Sequence, residues 1–285
     1  MLRLVSFCLL LLMPGLAAYA ELHPPAQVTA GKGFSISSTG SGDATFYLLA
    51  PGHVAKREVK LGQDIAVDPA DVKKAGRYLA VACGSGGCNS AAFYVTAAEP
   101  DKVSFLLHPS RVRVRTNDAI SATALVFDKF HNLVLTPVTV DFKVVPKTGP
   151  TISRQVKSNR GVAWMRMAST PKEGPVKVIA EVAKASEARV IQQVASDACN
   201  LRIKAKRTAK GVLVETDPVR DCSGNAVPDG TIVSFAEIDA DGKTTVDAPI
   251  KKGIARTELP VNGSAKISVA SGVVIGNEIS LGGGL

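Results

Sequence analysis

Apolar and polar residues alternate in short stretches along almost the whole chain, and helical periodicity is nearly absent, which restricts the fold to half-buried strands. Examples are Thr45 to Leu49, Tyr78 to Ala82, Ser121 to Phe127, Val138 to Val144, Val176 to Val182 and Thr231 to Phe235. Turn-forming clusters such as Pro51-Gly52, Gly84-Ser85-Gly86-Gly87, Asp229-Gly230 and Asp241-Gly242 separate them. Many short strands at this spacing predict an all-β protein built of antiparallel sandwiches. The one stretch with a helical flavour, Pro69 to Lys74, predicts a single turn in a crossover, because Gly76 ends it at once. Of the 285 residues, 46% are hydrophobic and 21% charged, so the apolar surface suffices for folded cores and the length calls for more than one domain.

The chain repeats itself, and the repeat sets the domain count better than length does. Asp128, Asn132, Val134, Val140 and Phe142 recur as Asp221, Asn225, Val227, Val233 and Phe235, all at an offset of 93. Farther on, Gly161-Val162-Ala163 recurs as Gly253-Ile254-Ala255 and Lys177-Val178 as Lys266-Ile267, so the offset slides to 92 and then 89 as loop lengths change. A period this long is a whole domain. The predicted division is a leader over 1–20, a divergent sandwich over 21–97, and two sandwiches over 98–195 and 196–285. The joints, Ala97 to Pro100 and Ala195 to Asp197, are too short for flexible linkers, which predicts a semi-rigid array.

Arg3, the apolar run Leu4 to Leu12, Pro14-Gly15 and the small residues Ala18 and Ala20 have the order of a secretory signal peptide cleaved before Glu21. The run is shorter than the roughly 20 residues needed to span a bilayer, and no later segment could do so. Cys8 leaves with the leader. The remaining cysteines, Cys83, Cys88, Cys199 and Cys222, are even in number in a chain entering an oxidising compartment, which favours two disulfides. Three pairings are possible. Because the two halves of the set are more than a hundred residues apart and in different predicted domains, Cys83 with Cys88 and Cys199 with Cys222 is the favoured one.

The pattern Asp221, Gly224-Asn225, Val227-Pro228, Gly230, Val233 and Phe235, followed by the Gly253-Ile254-Ala255 strand, resembles the bacterial immunoglobulin-like domain of the invasin and intimin type. Asp and Gly-Asn make a tight turn, Val227 anchors its far side, and Val233 and Phe235 alternate into the core. The second domain departs from it: Phe130 and His131 stand where Ser223 and Gly224 do, and Pro137 stands at the Gly230 position. The first domain is outside the resemblance. It implies tandem immunoglobulin-like sandwiches that hold something away from a membrane or wall, or bind a partner through a terminal module.

No catalytic constellation is recognisable, and no metal or cofactor site is expected. None of His23, His53, His108 and His131 has a metal-ligand spacing. His53 and His108 read as solvent-facing loop residues, His131 as a structural substitute in the repeated turn, and Asp239-Ala-Asp241-Gly242 as a plain hairpin turn rather than a calcium loop. Two basic rows are the candidate binding surface: Arg111, Arg113 and Arg115 alternate with Val112 and Val114, and Arg202, Lys204 and Lys206 with Leu201, Ile203 and Ala205. Each trio should project from one face of the strand that opens its domain, and edge protection is the favoured role over a polyanion contact. The formal charge of +9, or +8 without Arg3, suits an anionic surface polymer or an envelope protein as partner. Nucleic acid is not expected of an exported chain without aromatics interleaved in its basic rows. The functional expectation is an exported, non-enzymatic structural or protein-interaction module, periplasmic or extracellular, with a surface adhesin or carbohydrate-binding module as the alternative.

Overall fold

The computed structural model describes residues 20–261 and 263–282, so the leader, with Arg3 and Cys8, lies outside the described residues. The first segment runs β1 (Leu22–His23), β2 (Gln27–Thr29), β3 (Phe34–Ser38), β4 (Asp43–Ala50), β5 (His53–Lys60), β6 (Ile65–Val67), β7 (Gly76–Gly84) and β8 (Gly87–Thr96). These form a three-stranded sheet ordered β1-β3-β6 and a five-stranded sheet ordered β2-β8-β7-β4-β5. The crossover from β6 to β7 contains one 3-10 turn, Pro69–Val72, capped by the Asp68 carboxylate, which accepts the Ala70 N–H. It is the single turn predicted there.

The second segment runs β9 (Lys102–His108), β10 (Arg111–Arg113), β11 (Ile120–Phe127), β12 (Thr139–Pro146), β13 (Ile152–Lys157), β14 (Val162–Met167), β15 (Gly174–Val182) and β16 (Ala185–Val194). Its sheets, β14-β11-β9 and β10-β16-β15-β12-β13, reproduce the first segment strand for strand. In both, a short second strand crosses over and pairs in parallel with the last one, β2 with β8 and β10 with β16. The divergent first segment therefore has the topology of the repeat without its residues. The third segment comprises β17 (Ala198–Cys199), β18 (Ile203–Thr208), β19 (Gly211–Thr216), β20 (Arg220–Asp221), β21 (Ile232–Asp239), β22 (Gly242–Pro249), β23 (Arg256–Leu259), β24 (Ala265–Ser271) and β25 (Val274–Leu281). Here the sheets are β18-β19-β23 and β22-β21-β24-β25, with β17 and β20 as a separate ribbon.

Each core lies between the facing sheets. Phe46, Leu48, Tyr78 and Phe93 fill the first, and Val212, Val233, Phe235, Ile250 and Ile267 the third. In the second, the buried rings of Phe105 and Phe142 stand 6.0 Å apart. The repeat residues Val140, Phe142, Val233 and Phe235 are fully buried, as the alternation requires. By contacts the chain divides into two compact units, one running to Lys102 and including Val126–Thr136, the other Val103–Leu125 with Pro137 onward. The turn after β11, part of the second repeat in sequence, thus belongs physically with the first sandwich.

Two expectations about the basic rows are corrected. Arg115 is not on the strand: it takes φ 54° and its N–H donates to Thr170 O, so β10 ends at Arg113. Nor does either row open its domain. β9 precedes β10, Arg202 lies before β18, and β17 precedes both. The third expectation corrected is His53, which begins β5 instead of occupying a loop, with Nε2 3.5 Å from Asp71 Oδ1.

Candidate functional site at the repeated turns

In the third segment Asp221 Oδ1 accepts the N–H groups of Ser223 and Asn225, and the Gly224 N–H closes onto Asp221 O. That is a tight turn held by its first side chain. Gly224 takes φ 81° and its counterpart His131 takes φ 63°. His131 is therefore the structural substitute expected, in the left-handed conformation that costs glycine nothing; its Nε2 lies 3.0 Å from Lys102 Nζ.

The remaining polar atoms of the turn face outward, toward the preceding sandwich. Asp221 Oδ2 accepts the Ser196 N–H at 3.1 Å, in the joint itself. Asn225 Nδ2 donates both to Asp221 Oδ2 and to Pro171 O, each at 2.9 Å, while its Oδ1 accepts the Glu173 N–H at 3.2 Å. The second repeat does the same: Asp128 Oδ2 accepts the Ala98 N–H, Asn132 Nδ2 donates to Asp128 Oδ2 and Lys73 O, and Asn132 Oδ1 accepts the Ala75 N–H. Each asparagine amide makes three of its four possible hydrogen bonds, with both N–H donors engaged. The motif repeated at an offset of 93 is thus a clamp on the loop before it as well as a turn. All four side chains are buried. Burial works against ionisation of Asp128 and Asp221, but the hydrogen bonds from the asparagine and from backbone N–H groups outweigh it and hold both carboxyls below the usual value.

Each clamp has its own reinforcement. At the first, the Phe130 ring packs against the core of the first sandwich and over Gly31, where a Cβ would lie 2.3 Å from Phe130 Cζ. The residue that departs from the turn pattern is a knob, and Gly31 is its socket. At the second, Cys222 of the turn is bonded to Cys199 of the joint strand, with Cα atoms 5.0 Å apart. Cys83 and Cys88 are bonded across the β7–β8 hairpin, at paired positions. Neither acceptor loop was foreseen from sequence, because each is recognised mainly through backbone groups; the one side chain the loops share is a lysine, Lys74 and Lys172, whose Nζ donates to Phe130 O and Ser223 O of the turns.

Arg111, Arg113, Lys204 and Lys206 lie on sheet edges, and Arg115 and Arg202 lie off the strands. β10 is the outer strand of its five-stranded sheet and β18 of its three-stranded one. Arg111 and Arg113 flank the buried Val112, and Arg113 Nη1 pairs with Asp197 Oδ2 at 2.9 Å. Lys204 pairs with Asp217, while Lys206 and Arg202 are exposed. His23 is exposed on β1, and His108, expected in a loop, is exposed as expected but is the last residue of β9. Asp239 and Gly242 pair at the β21–β22 hairpin, where the Asp241 N–H donates to Asp239 Oδ1. Among the described residues no group of three or more His, Cys, Asp or Glu side chains is placed to hold a metal, and no helix is long and apolar enough to cross a membrane.

No protein-family profile matches the chain, and no curated protein matches it in sequence. The likeness is structural. FdeC, described as a broadly conserved Escherichia coli adhesin, superposes with a TM-score of 0.60 at 13% identity, over 93% of this chain and 97% of that one. Weaker likenesses include invasin, a bacterial integrin-binding protein, with a TM-score of 0.47 at 13% identity over 92% of this chain and 59% of that one. InvD of Yersinia pseudotuberculosis gives 0.47 at 10% identity, over 92% and 97%. With the sheet orders above, the likeness to FdeC identifies the fold: the chain is a tandem array of immunoglobulin-like β-sandwiches of the kind that builds this bacterial adhesin.

Proposed function

We propose that this chain is an exported, non-enzymatic array of immunoglobulin-like sandwiches that serves the cell envelope as a structural and protein-interaction module. One observation carries the reading: the buried ionisable side chains shared by the two repeats, Asp128 and Asp221, are spent on joining successive sandwiches. An active site leaves such groups poised for a substrate; here their hydrogen-bonding capacity is used up internally. The disulfides fit an oxidising compartment.

Display at the cell surface as an adhesin is the second reading, favoured by the full-length likeness to FdeC. At 13% identity that likeness speaks for the fold, and the function comes by analogy. Protease treatment of intact cells separates the two readings. Protection until the outer envelope is opened supports a module internal to the envelope, and cleavage on intact cells supports the adhesin. Recovery of the chain from the cytoplasm with its cysteines reduced would overturn both.

A further inference from the structure

Beside the first clamp lies an open cleft of about 520 Å³. Its walls are Tyr94, at the start of the parallel β2–β8 pairing, and Leu133 and Leu135, just past the Asp128–Asn132 turn. Ala75 and Gly76 line it as well, and the Ala75 N–H is fixed by Asn132 Oδ1 at 2.9 Å, so the clamp preorganises that wall. Tyr94 and Leu135 are 57% and 60% exposed, two large apolar side chains left in water at one spot. No charged side chain lines the cleft, although the chain has 34 lysines and arginines.

The second joint supplies an internal comparison. A cleft of about 460 Å³ lies at the equivalent place, but Arg111 stands where the first has Gln27, each being the first residue of the parallel strand, and Pro228 stands where the first has Leu135. One fold position therefore carries two chemistries, one basic and one neutral and apolar. Charge complementarity assigns the neutral cleft an uncharged occupant, and its mostly apolar walls would strip many of a sugar's hydroxyls of water without replacing their hydrogen bonds. An apolar side chain on a polypeptide meets neither cost. Gln27 adds a polar handle: its Nε2 donates to Thr96 Oγ1 at 3.4 Å, and its Oε1, unengaged among the described residues, can accept a backbone N–H.

We propose that the cleft between Tyr94 and Leu135 is a docking site for a partner polypeptide, which inserts a leucine or phenylalanine from an uncharged extended segment. This rests on the reading of the chain as a protein-interaction module and names its contact point. Binding energy at protein interfaces is concentrated in a few side chains seated in well-packed pockets.

The test uses the mature chain with labelled methyl groups and blocked tripeptides, N-acetyl-Gly-X-Gly-amide, where X is Leu, Phe, Glu or Lys. Saturable shifts of the Leu133 and Leu135 methyls are expected with the Leu and Phe peptides, with little change in affinity between about 50 and 500 mM salt, since screening acts on charges. Tyr94→Ser or Leu135→Ser should weaken binding about tenfold or more. Because both side chains are more than half exposed, the variants keep the fold, checked by unchanged methyl shifts in the third sandwich. Pro228→Ser, at the second joint, should leave binding as it was. The proposal is overturned if no apolar peptide shifts these methyls, if Glu or Lys peptides do so equally, or if only methyl glucoside or N-acetylglucosamine does. A negative result leaves the protease experiment on intact cells untouched, so the two failures are distinguishable.

Discussion

Asn225 donates to a carboxylate and a carbonyl and accepts one N–H, an arrangement that no other side chain of its size reproduces. Asn225→Asp keeps the shape but sets a second carboxylate against Asp221 Oδ2 and an acceptor against Pro171 O. The expected loss is about 3 kcal/mol, greater than for Asn225→Ala, with faster proteolysis at Ala195 to Asp197 as the companion readout. The aspartates respond to acid. Their folded pKa values are lowered, so the stability they lend is complete above the unfolded value of about 3.9 and drains away as pH falls through the folded one. Melting temperature should drop steeply below about pH 4, and less steeply in Asp221→Asn. Glu237 has the opposite sign. Burial first, then the hydrogen bond and charge of Asp239, raise its carboxyl, and its buried Oε1 has no hydrogen-bond partner. The fold therefore prefers the protonated form, and stability is lost as pH rises through the raised value. Glu237→Gln should raise the melting temperature at pH 7, with the gain vanishing near pH 4.

Among the elements, the edge strands are the exposed ones in every sense. Arg111 and Arg113 sit on β10, which among the described residues is the outer strand of its sheet, and charge on such a strand opposes pairing with another chain. Arg111→Ser with Arg113→Ser should leave the unfolding free energy within about 1 kcal/mol of the original and increase self-association by light scattering. A salt-sensitive loss of partner capture by the same variant would instead revive the polyanion contact. The edges also mark what could be read from sequence. Central strands such as β4, β7 and β12 bury one face, and their alternation announced them. β5, β13 and β22 are outer strands with mostly wetted side chains, as in the Ile152–Lys157 run, so their sequence carries little period to read. The turn was legible because Asp and Asn hold it from within. The clamp was not, because its other half is mostly main chain, with a single lysine at its centre.

For the whole molecule, the two joints share one clamp but differ in what backs it: an aromatic knob at the first, a disulfide at the second. The Cys199–Cys222 bridge spans a sequence separation of 23, which the chain-entropy model values at roughly 3 kcal/mol. Mild reduction should therefore speed hydrogen exchange at the Ser196 amide and leave the Ala98 amide protected, although both N–H groups donate to equivalent aspartates. Each asparagine reads only a carbonyl and the N–H two residues later, Lys73 and Ala75 in one case, Pro171 and Glu173 in the other. The asparagine contacts ask nothing of side-chain identity, and the loops differ at their outer positions, Lys73 and Ala75 against Pro171 and Glu173, but they share a central lysine whose Nζ donates to the turn, Lys74 to Phe130 O at 3.4 Å and Lys172 to Ser223 O at 3.5 Å. A socket made largely of main chain comes with the loop conformation. A gene encoding this unit can consequently be copied in tandem, and each new copy plugs into any predecessor whose loop presents that main chain and keeps the central lysine.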